Sequence, residues 1–465
     1  MERRKPKIGL LGLITGGYES IFPGILKRQE AYAGEIAASL EDVAHIVFEK
    51  AGTDRATIEG IVEQYNRMEL DGMLIVLLAY YPGAYLTRAL QKNRLPIAMA
   101  VVQPDQEVLD DWEELDFTVN QGIHGAQDNA NTIHRLKIAC SFFVGNRNEE
   151  RFRRFVEDFA KACYARAELM GMRVGVFSRM CGMGDILADD MAFYKKIGPE
   201  ICHDTIGSIV SKMKEVNERE IEEEILKDHE RFEIDPNLSR ESHEIAVREY
   251  LGFKRYLEET GYRAYTAHFD QFAADGRFRQ LPLYAASRLL AEGYGYAAEG
   301  DFICACMVAA AHALGENDGN FTEMYTMDFV KQAIIFCHAG EGNWSTVSPG
   351  KKPRLIDRYL GEGGLENPPT ILFTPRPGRA TLVSLVAVEG EKFRLIIAEG
   401  EILEKSDLRR CEMPYFFWRP DAGLETCVEK WLENGGTHHE VINLGDVSQR
   451  WILLAKMLGI EYVEI

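Results

Sequence analysis

Two carboxylates, Glu299 and Glu323, and one imidazole, His338, fall within 40 residues of each other, each beside small or aromatic residues. The segments are EGYGYAAEGDF (292–302), NFTEMYTMDF (320–329) and IIFCHAGEGN (334–343), and a further pair of imidazoles follows in GGTHHEV (435–441). Carboxylate and imidazole donors without a thiolate suit Mn²⁺, with Co²⁺ or Mg²⁺ as alternatives, better than Zn²⁺. Two carboxylates beside one cation also suit reversible proton transfer next to a carbonyl, one removing the proton and the other helping to move it. Each residue has a plainer role open to it. Glu299 or Asp301 could simply cap the helix that follows, Glu323 could be a surface carboxylate, and His338 could be structural. Two glycines before His438 and His439 imply a tight turn, and alternation along an extended segment would aim only one of the two imidazoles at a given point.

The elements that must carry these residues follow from the hydrophobic pattern. Residues 7–145 alternate apolar runs with helical patterns, and MLIVLLAYY (73–81) is nearly continuous, as in a strand covered on both faces. That rhythm predicts a doubly wound parallel sheet. GLITGGY (12–18) lacks the G-x-G-x-x-G spacing of a dinucleotide loop, so its glycines read as a strand-to-loop turn. The polar run VNQGIHGAQDN (119–129) reads as an exposed turn in which Gln121 and His124 could meet a polyhydroxylated ligand, or as a plain surface loop. A long helix from Asn148 to Leu169 leads into a second α/β unit, with a strand expected near Thr205 to Val210. From about residue 316 short strands dominate, with hairpin signals at Glu389-Gly390 and Glu399-Gly400, pointing to an antiparallel barrel or sandwich closed by a terminal helix. The predicted architecture is two Rossmann-like doubly wound parallel-sheet domains, 1–168 and 169–317, followed by a C-terminal antiparallel β-barrel, 318–465.

Bulk properties narrow the function. The chain has 465 residues, a net charge of −20 and 46 % hydrophobic residues. That charge argues against a nucleic-acid partner, because backbone binding depends on clustered Lys and Arg. Nine scattered cysteines without a CxxC pair argue for reduced thiols rather than a disulfide framework. No apolar run reaches membrane-span length and the N-terminal run lacks a cleavage site, so no membrane partner and a cytoplasmic location are expected.

The order EGYGYAAEGDF, FTEMYTMDF, CHAGEGN and GGTHHEV, with FRQLPLYAASRLLAEGYGY, the RLIIAEGEIL strand followed by Pro414 and Trp418, and NQGIHG, resembles the L-arabinose isomerase family over essentially the whole chain. The resemblance implies metal ligands at Glu299, Glu323, His338 and His439, with the two glutamates as the proton-transfer pair of an ene-diol aldose–ketose interconversion. It implies homotrimers or homohexamers with interface active sites, into which Gln121 and His124 reach from a neighbour. Tyr18, Met183, Phe269 and His438 complete the substrate-binding candidates. Two places depart from the family pattern. Gly16-Gly17-Tyr18-Glu19-Ser20 stands where a Gly-Ser-Gln-x-Leu-Tyr-Gly signature is usual. Ala339-Gly340-Glu341 replaces the Met and acidic neighbour that usually follow the histidine. Both line the substrate end in relatives, so the expected substrate is a small sugar other than L-arabinose: another pentose, a hexose, or a modified or acidic sugar. A charged sugar would call for an Arg or Lys in the pocket, Arg179 being one candidate. The competing expectations are a sugar-binding or regulatory protein of the same fold, and a metal-dependent hydrolase or lyase.

Overall fold

A computed structural model describes residues 3–360, 364–404, 408 and 410–465. The chain divides into two compact units, one running up to Ala167 and the other spanning Glu168–Ile465.

The N-terminal unit is built on five parallel strands: β1 (Lys7–Leu13), β2 (His45–Val47), β3 (Gly72–Leu77), β4 (Ile97–Val101) and β5 (Cys140–Val144). Their order is β2-β1-β3-β4-β5. All six residues of the central strand β3 are buried, the continuous apolar run of a strand covered on both faces. One expectation fails here. VNQGIHGAQDN is not a turn but the end of one helix, Glu114–Asn120, and the start of another, Gly122–Arg135. Gly122 is present for proximity: a Cβ there would lie 2.5 Å from the Leu77 carbonyl oxygen. A glycine that lets a helix approach a strand was indistinguishable by composition from one that turns a loop.

The second unit begins with β6 (Arg173–Val176) and β7 (Glu200–His203), and β8 (Glu233–Ile234) follows. The strands β9 (Ala264–Ala267) and β10 (Gly295–Ala298) complete a parallel sheet of order β10-β9-β6-β7. The strand expected near Thr205–Val210 is instead β7, followed by a helix over Ile206–Glu215 that buries Ile206, Ile209 and Val210. Those three positions have i, i+3, i+4 spacing, which a short apolar run leaves ambiguous between strand and helix.

The remaining strands are β11 (Gly319–Asp328), β12 (Ala333–Cys337), β13 (Arg354–Asp357), β14 (Pro369–Leu372), β15 (Gly378–Glu389), β16 (Lys392–Ile402), β17 (Tyr415–Pro420), β18 (His439–Leu444) and β19 (Glu461–Glu464). Six of them, in the order β15-β18-β11-β12-β17-β16, close into an antiparallel barrel through the β15–β16 pairing. Closure removes the free sheet edges that an open sandwich would leave. Trp418, Phe336, Leu382, Ile396 and Ile442 fill its core. The strand β19 adds in parallel to β16, and β13 joins β14 and β8 in a small separate sheet. Of the two hairpin signals, Gly390 does turn the chain between β15 and β16, whereas Gly400 lies inside β16. There a Cβ would strike the Arg419 carbonyl oxygen at 2.4 Å, so Gly400 marks a close backbone approach.

Candidate metal centre

Each side chain of the centre is fixed by a local feature of the chain. Glu299 follows the last residue of β10 and adopts φ +66°, a left-handed conformation uncommon for a residue with a side chain. Backbone bonds hold it there: its N–H donates to Ala267 O at 2.9 Å, and its carbonyl accepts from the Met180 N–H at 2.8 Å. Glu323 lies on β11 directly opposite His439 of β18 on one side and Cys337 of β12 on the other. This register sets Glu323 beside His439 and next to the residue preceding His338. A β-bulge between Met324 and Thr326 follows at once, the kind of irregularity that re-aims side chains at a site.

The three imidazoles share one arrangement. His439 Nδ1 lies 3.0 Å from Asp301 Oδ2, His338 Nδ1 lies 3.1 Å from Glu341 Oε2, and His438 Nδ1 lies 2.7 Å from Asp185 Oδ2. For His438 and His439 the carboxylate is hydrogen-bonded to Nδ1, which fixes ring and tautomer and leaves Nε2 free to act as a ligand; Glu341 stands at ion-pair distance from His338 without a hydrogen bond to its Nδ1. All three Nε2 atoms then face Glu323 Oε1, at 3.4 Å for His439, 3.7 Å for His338 and 3.8 Å for His438. His439 Nε2 also lies 3.3 Å from Glu299 Oε2, yet it is buried and hydrogen-bonded to neither carboxylate.

One donor atom from each of Glu299, Glu323, His438 and His439 lies within 4.8 Å of the others. His338 stands outside that tightest set but beside Glu323. Both imidazoles of the pair therefore face Glu323, against the alternation expected of an extended segment: β18 starts at His439, and the exposed His438, before the strand, is held by Asp185, which also accepts its backbone N–H at 2.9 Å.

Asp301 has two tasks. Its Oδ1 accepts the Cys304 N–H at 2.9 Å and caps the buried helix Phe302–Leu314, while its Oδ2 holds His439. Capping thus falls to Asp301 and not to Glu299. Burial opposes charge on these groups, but the crowd of opposite charges outweighs it. Asp301, Glu299 and Glu323 hold the His439 imidazole well above the ordinary histidine value, and His338 keeps Glu341 down at about 2. Carboxylates gathered around imidazoles, with the buried Nε2 of His439 left without a hydrogen-bond partner, fit a divalent cation.

Glu299, Glu323 and His338 open onto a cavity of about 250 Å³, large enough for a small molecule. Phe269 lines it, as do Tyr296, whose hydroxyl donates to Glu341 Oε1 at 2.9 Å, and Arg358. Met183 does not line it, and Tyr18, Gln121 and His124 belong to the N-terminal unit, where Gln121 Nε2 donates to the Tyr18 hydroxyl at 3.1 Å and His124 packs on Tyr80. Arg179 is used elsewhere: it pairs with Asp190 at 2.8 Å and lies over the Phe302 ring. Asp185, Glu341 and Arg358 carry no motif of their own. Glu341 stands three residues after His338, in the stretch that departs from the family pattern, but the other two are remote in sequence from what they serve.

Parallel α/β strands leading into a closed antiparallel barrel, with a carboxylate–imidazole cluster at a small cavity, define an enzyme of small-molecule chemistry with a donor set able to hold a metal. Comparison with known proteins gives the family. The models of the L-arabinose isomerase N-terminal, central and C-terminal domains match residues 11–171, 184–317 and 318–461. The L-arabinose isomerase of Leuconostoc mesenteroides is 26 % identical, with 97 % of this chain and 98 % of that protein aligned. L-arabinose isomerase 1 of Bacillus licheniformis is 27 % identical over 99 % and 94 %, and the Nocardioides L-arabinose isomerase 26 % over 97 % and 92 %. The chain belongs to the L-arabinose isomerase family as a divergent member, and is an isomerase of the intramolecular oxidoreductase class. No helix among the described residues is long and apolar enough to cross a membrane.

Proposed function

We propose that this protein interconverts a free aldose and its ketose through an ene-diol, with Glu299 and Glu323 as the proton-transfer pair. The observation that supports the reading is the convergence of three imidazoles, each with a carboxylate beside its Nδ1, on Glu323, with Glu299 next to His439. Glu299, Glu323, His338 and His439 are the proposed ligands of a divalent cation, Mn²⁺ ahead of Co²⁺ or Mg²⁺. When bound, the cation would polarise the sugar oxygens and lower the cost of charge developing on them. One glutamate takes the proton from the carbon next to the carbonyl, and the other moves a proton between the neighbouring oxygens. The half-buried positions of both favour this exchange, since each touches the cavity and neither is sealed from it. His438, Phe269 and Met183 contact the sugar in this reading, of which Phe269 lines the cavity and His438 faces Glu323. Gln121 and His124 serve the site of a neighbouring subunit in a cytoplasmic homotrimer or homohexamer, as the family resemblance implies, and Tyr18 is a further substrate contact.

The test is removal and restoration of the metal. Chelator-stripped protein should lose ketose formation on a panel of aldoses and regain it with Mn²⁺, with a matching rise in melting temperature on binding. Turnover indifferent to chelation would remove the metal from the reading, and sugar binding without any product would favour a binding protein.

The double use of Asp301 gives a second expectation. Asp301→Asn keeps a good helix cap, so melting should change little. Loss of the charge behind His439 should weaken Mn²⁺ binding about 10–100-fold. Calorimetric titration with Mn²⁺ measures this, and unchanged affinity would reduce Asp301 to a cap.

A further inference from the structure

The cavity that opens on Glu299 and Glu323 also holds a cation of its own, Arg358, which directly follows β13. Arg358 is only 8 % exposed, and its Nη1 is buried with no hydrogen-bond partner. Among the described residues no carboxylate pairs with it, although Glu299, Glu323 and Glu341 line the same cavity; all three face the imidazoles. The cavity is also lined by the apolar side chains of Phe272, Leu281, Leu283, Leu360 and Met413. A guanidinium keeps its charge under all ordinary conditions, and burying a charge without a partner is strongly unfavourable. The other deeply buried arginine of this unit, Arg288, illustrates the usual solution. It is 3 % exposed and bonded to Asp228 Oδ1 at 3.0 Å and Glu224 Oε2 at 2.9 Å. Among the described residues, Arg358 is thus a buried charge for which no side chain supplies a counter-ion.

Room for it has been made. Gly340 has φ +149°, and a Cβ there would lie 2.8 Å from Arg358 Nη1 and 2.9 Å from Leu283 Cδ1. Any side chain at this position would press on the guanidinium. Gly340 lies between Ala339 and Glu341, both of which line the cavity. The Ala339-Gly340-Glu341 stretch and Arg358 therefore form one local arrangement, in which small residues leave the guanidinium its place.

We propose that the substrate is an anionic aldose, whose carbonyl end lies at Glu299 and Glu323 and whose far end carries an acid group that pairs with Arg358. The shared chemistry is a terminal oxyanion on a five- or six-carbon sugar: a carboxylate, a phosphate or a sulfonate. The planar fork of arginine suits any of these with two parallel N–H donors. This inference rests on the aldose–ketose reading for the placement of the carbonyl end, but the recognition of the anion can be measured without turnover.

The experiment is equilibrium binding of polyols that cannot isomerise, by calorimetry on the Mn²⁺-loaded full chain. Glucitol is the neutral probe, gulonate the carboxylate, glucitol 6-phosphate the phosphate, and 6-deoxy-6-sulfoglucitol the sulfonate. At least one anionic probe should bind about tenfold or more tighter than glucitol, the scale of one charge-assisted hydrogen bond. Arg358→Met should remove that preference while leaving glucitol binding within about threefold. It should not lower the melting temperature, because it deletes an unpaired buried charge. Arg358→Lys, which keeps the charge and loses the fork, should retain part of the preference and covers the case in which the methionine variant does not fold. The probe that gains most identifies the oxyanion. Equal binding of all four probes by the natural protein, or an anion preference that survives Arg358→Met, overturns the proposal. Ketose formation from an anionic aldose with kcat/KM untouched by Arg358→Met, or from a neutral aldose with kcat/KM equal to that of its anionic counterparts, would overturn it while leaving the isomerase reading intact. Arg358-dependent anion binding without ketose from any aldose would do the reverse.

Discussion

Glu323→Gln is expected to lower kcat by about 10³-fold or more, within the range that a positioned acid or base contributes. The substitution is nearly isosteric, and Glu323 sits in the middle of β11, paired on both sides, so the barrel should be undisturbed. What changes is charge and basicity at the atom on which His338, His438 and His439 converge. Because Glu323 is also a proposed ligand, a rate measurement alone would mix two losses. Proton exchange at the carbon next to the carbonyl separates them. In deuterated water the natural enzyme should place deuterium in substrate and product. Glu323→Gln supplied with saturating Mn²⁺ should bind the sugar and incorporate none. Glu323→Gln turning over within tenfold of the natural enzyme at saturating Mn²⁺ would transfer the proton work to another group.

The barrel and the parallel sheets were readable because they rest on repeated local patterns. The buried run of β3 and the hairpin turned at Gly390 each state their environment in a few neighbouring residues. Glu299, Glu323, His338 and His439 were put forward as a set only from their order along the chain; the structure gathers donor atoms of Glu299, Glu323, His438 and His439, with His338 beside Glu323. Their convergence depends on the pairing of β11 with β12 and β18, which sequence spacing does not reveal. Asp185 and His438 meet across 253 positions and Asp301 and His439 across 138, so no window could have linked them. Arg358 was invisible for a different reason. An arginine after a short strand reads as surface, and its burial in the cavity wall, where no described carboxylate pairs with it, is a tertiary fact. The glycines were misread in both directions. Gly122 and Gly400 looked like turns and serve close contacts, while Gly340 stood in a segment noted for change but not for the cation beside it.

Gly300→Ala is the second substitution expected to have a large effect, because Gly300 joins the two halves of the centre. It stands between Glu299 and Asp301, with φ +91°, a conformation that L residues enter at a cost of about 1–2 kcal/mol. Space is worse than conformation. A Cβ would lie 2.3 Å from the Arg179 Cα and 2.6 Å from the Ser178 carbonyl oxygen. Both obstacles are backbone, so no rotamer change relieves them, and the Gly300 N–H is itself anchored to Thr266 Oγ1 at 3.0 Å. The strand-to-helix turn must therefore move, carrying Glu299 on one side and the Asp301 support of His439 on the other. A stability loss of about 2–4 kcal/mol is expected from strain and displaced backbone together. Displacement of reacting groups by about 1 Å costs on the order of 10²-fold in rate, so kcat/KM should fall at least that far even in the folded fraction. Thermal melting, Mn²⁺ titration and kcat/KM at a temperature well below the melting point separate the two effects. A Gly300→Ala protein that melts normally and retains kcat/KM within threefold would mean that this turn does not set the position of Glu299.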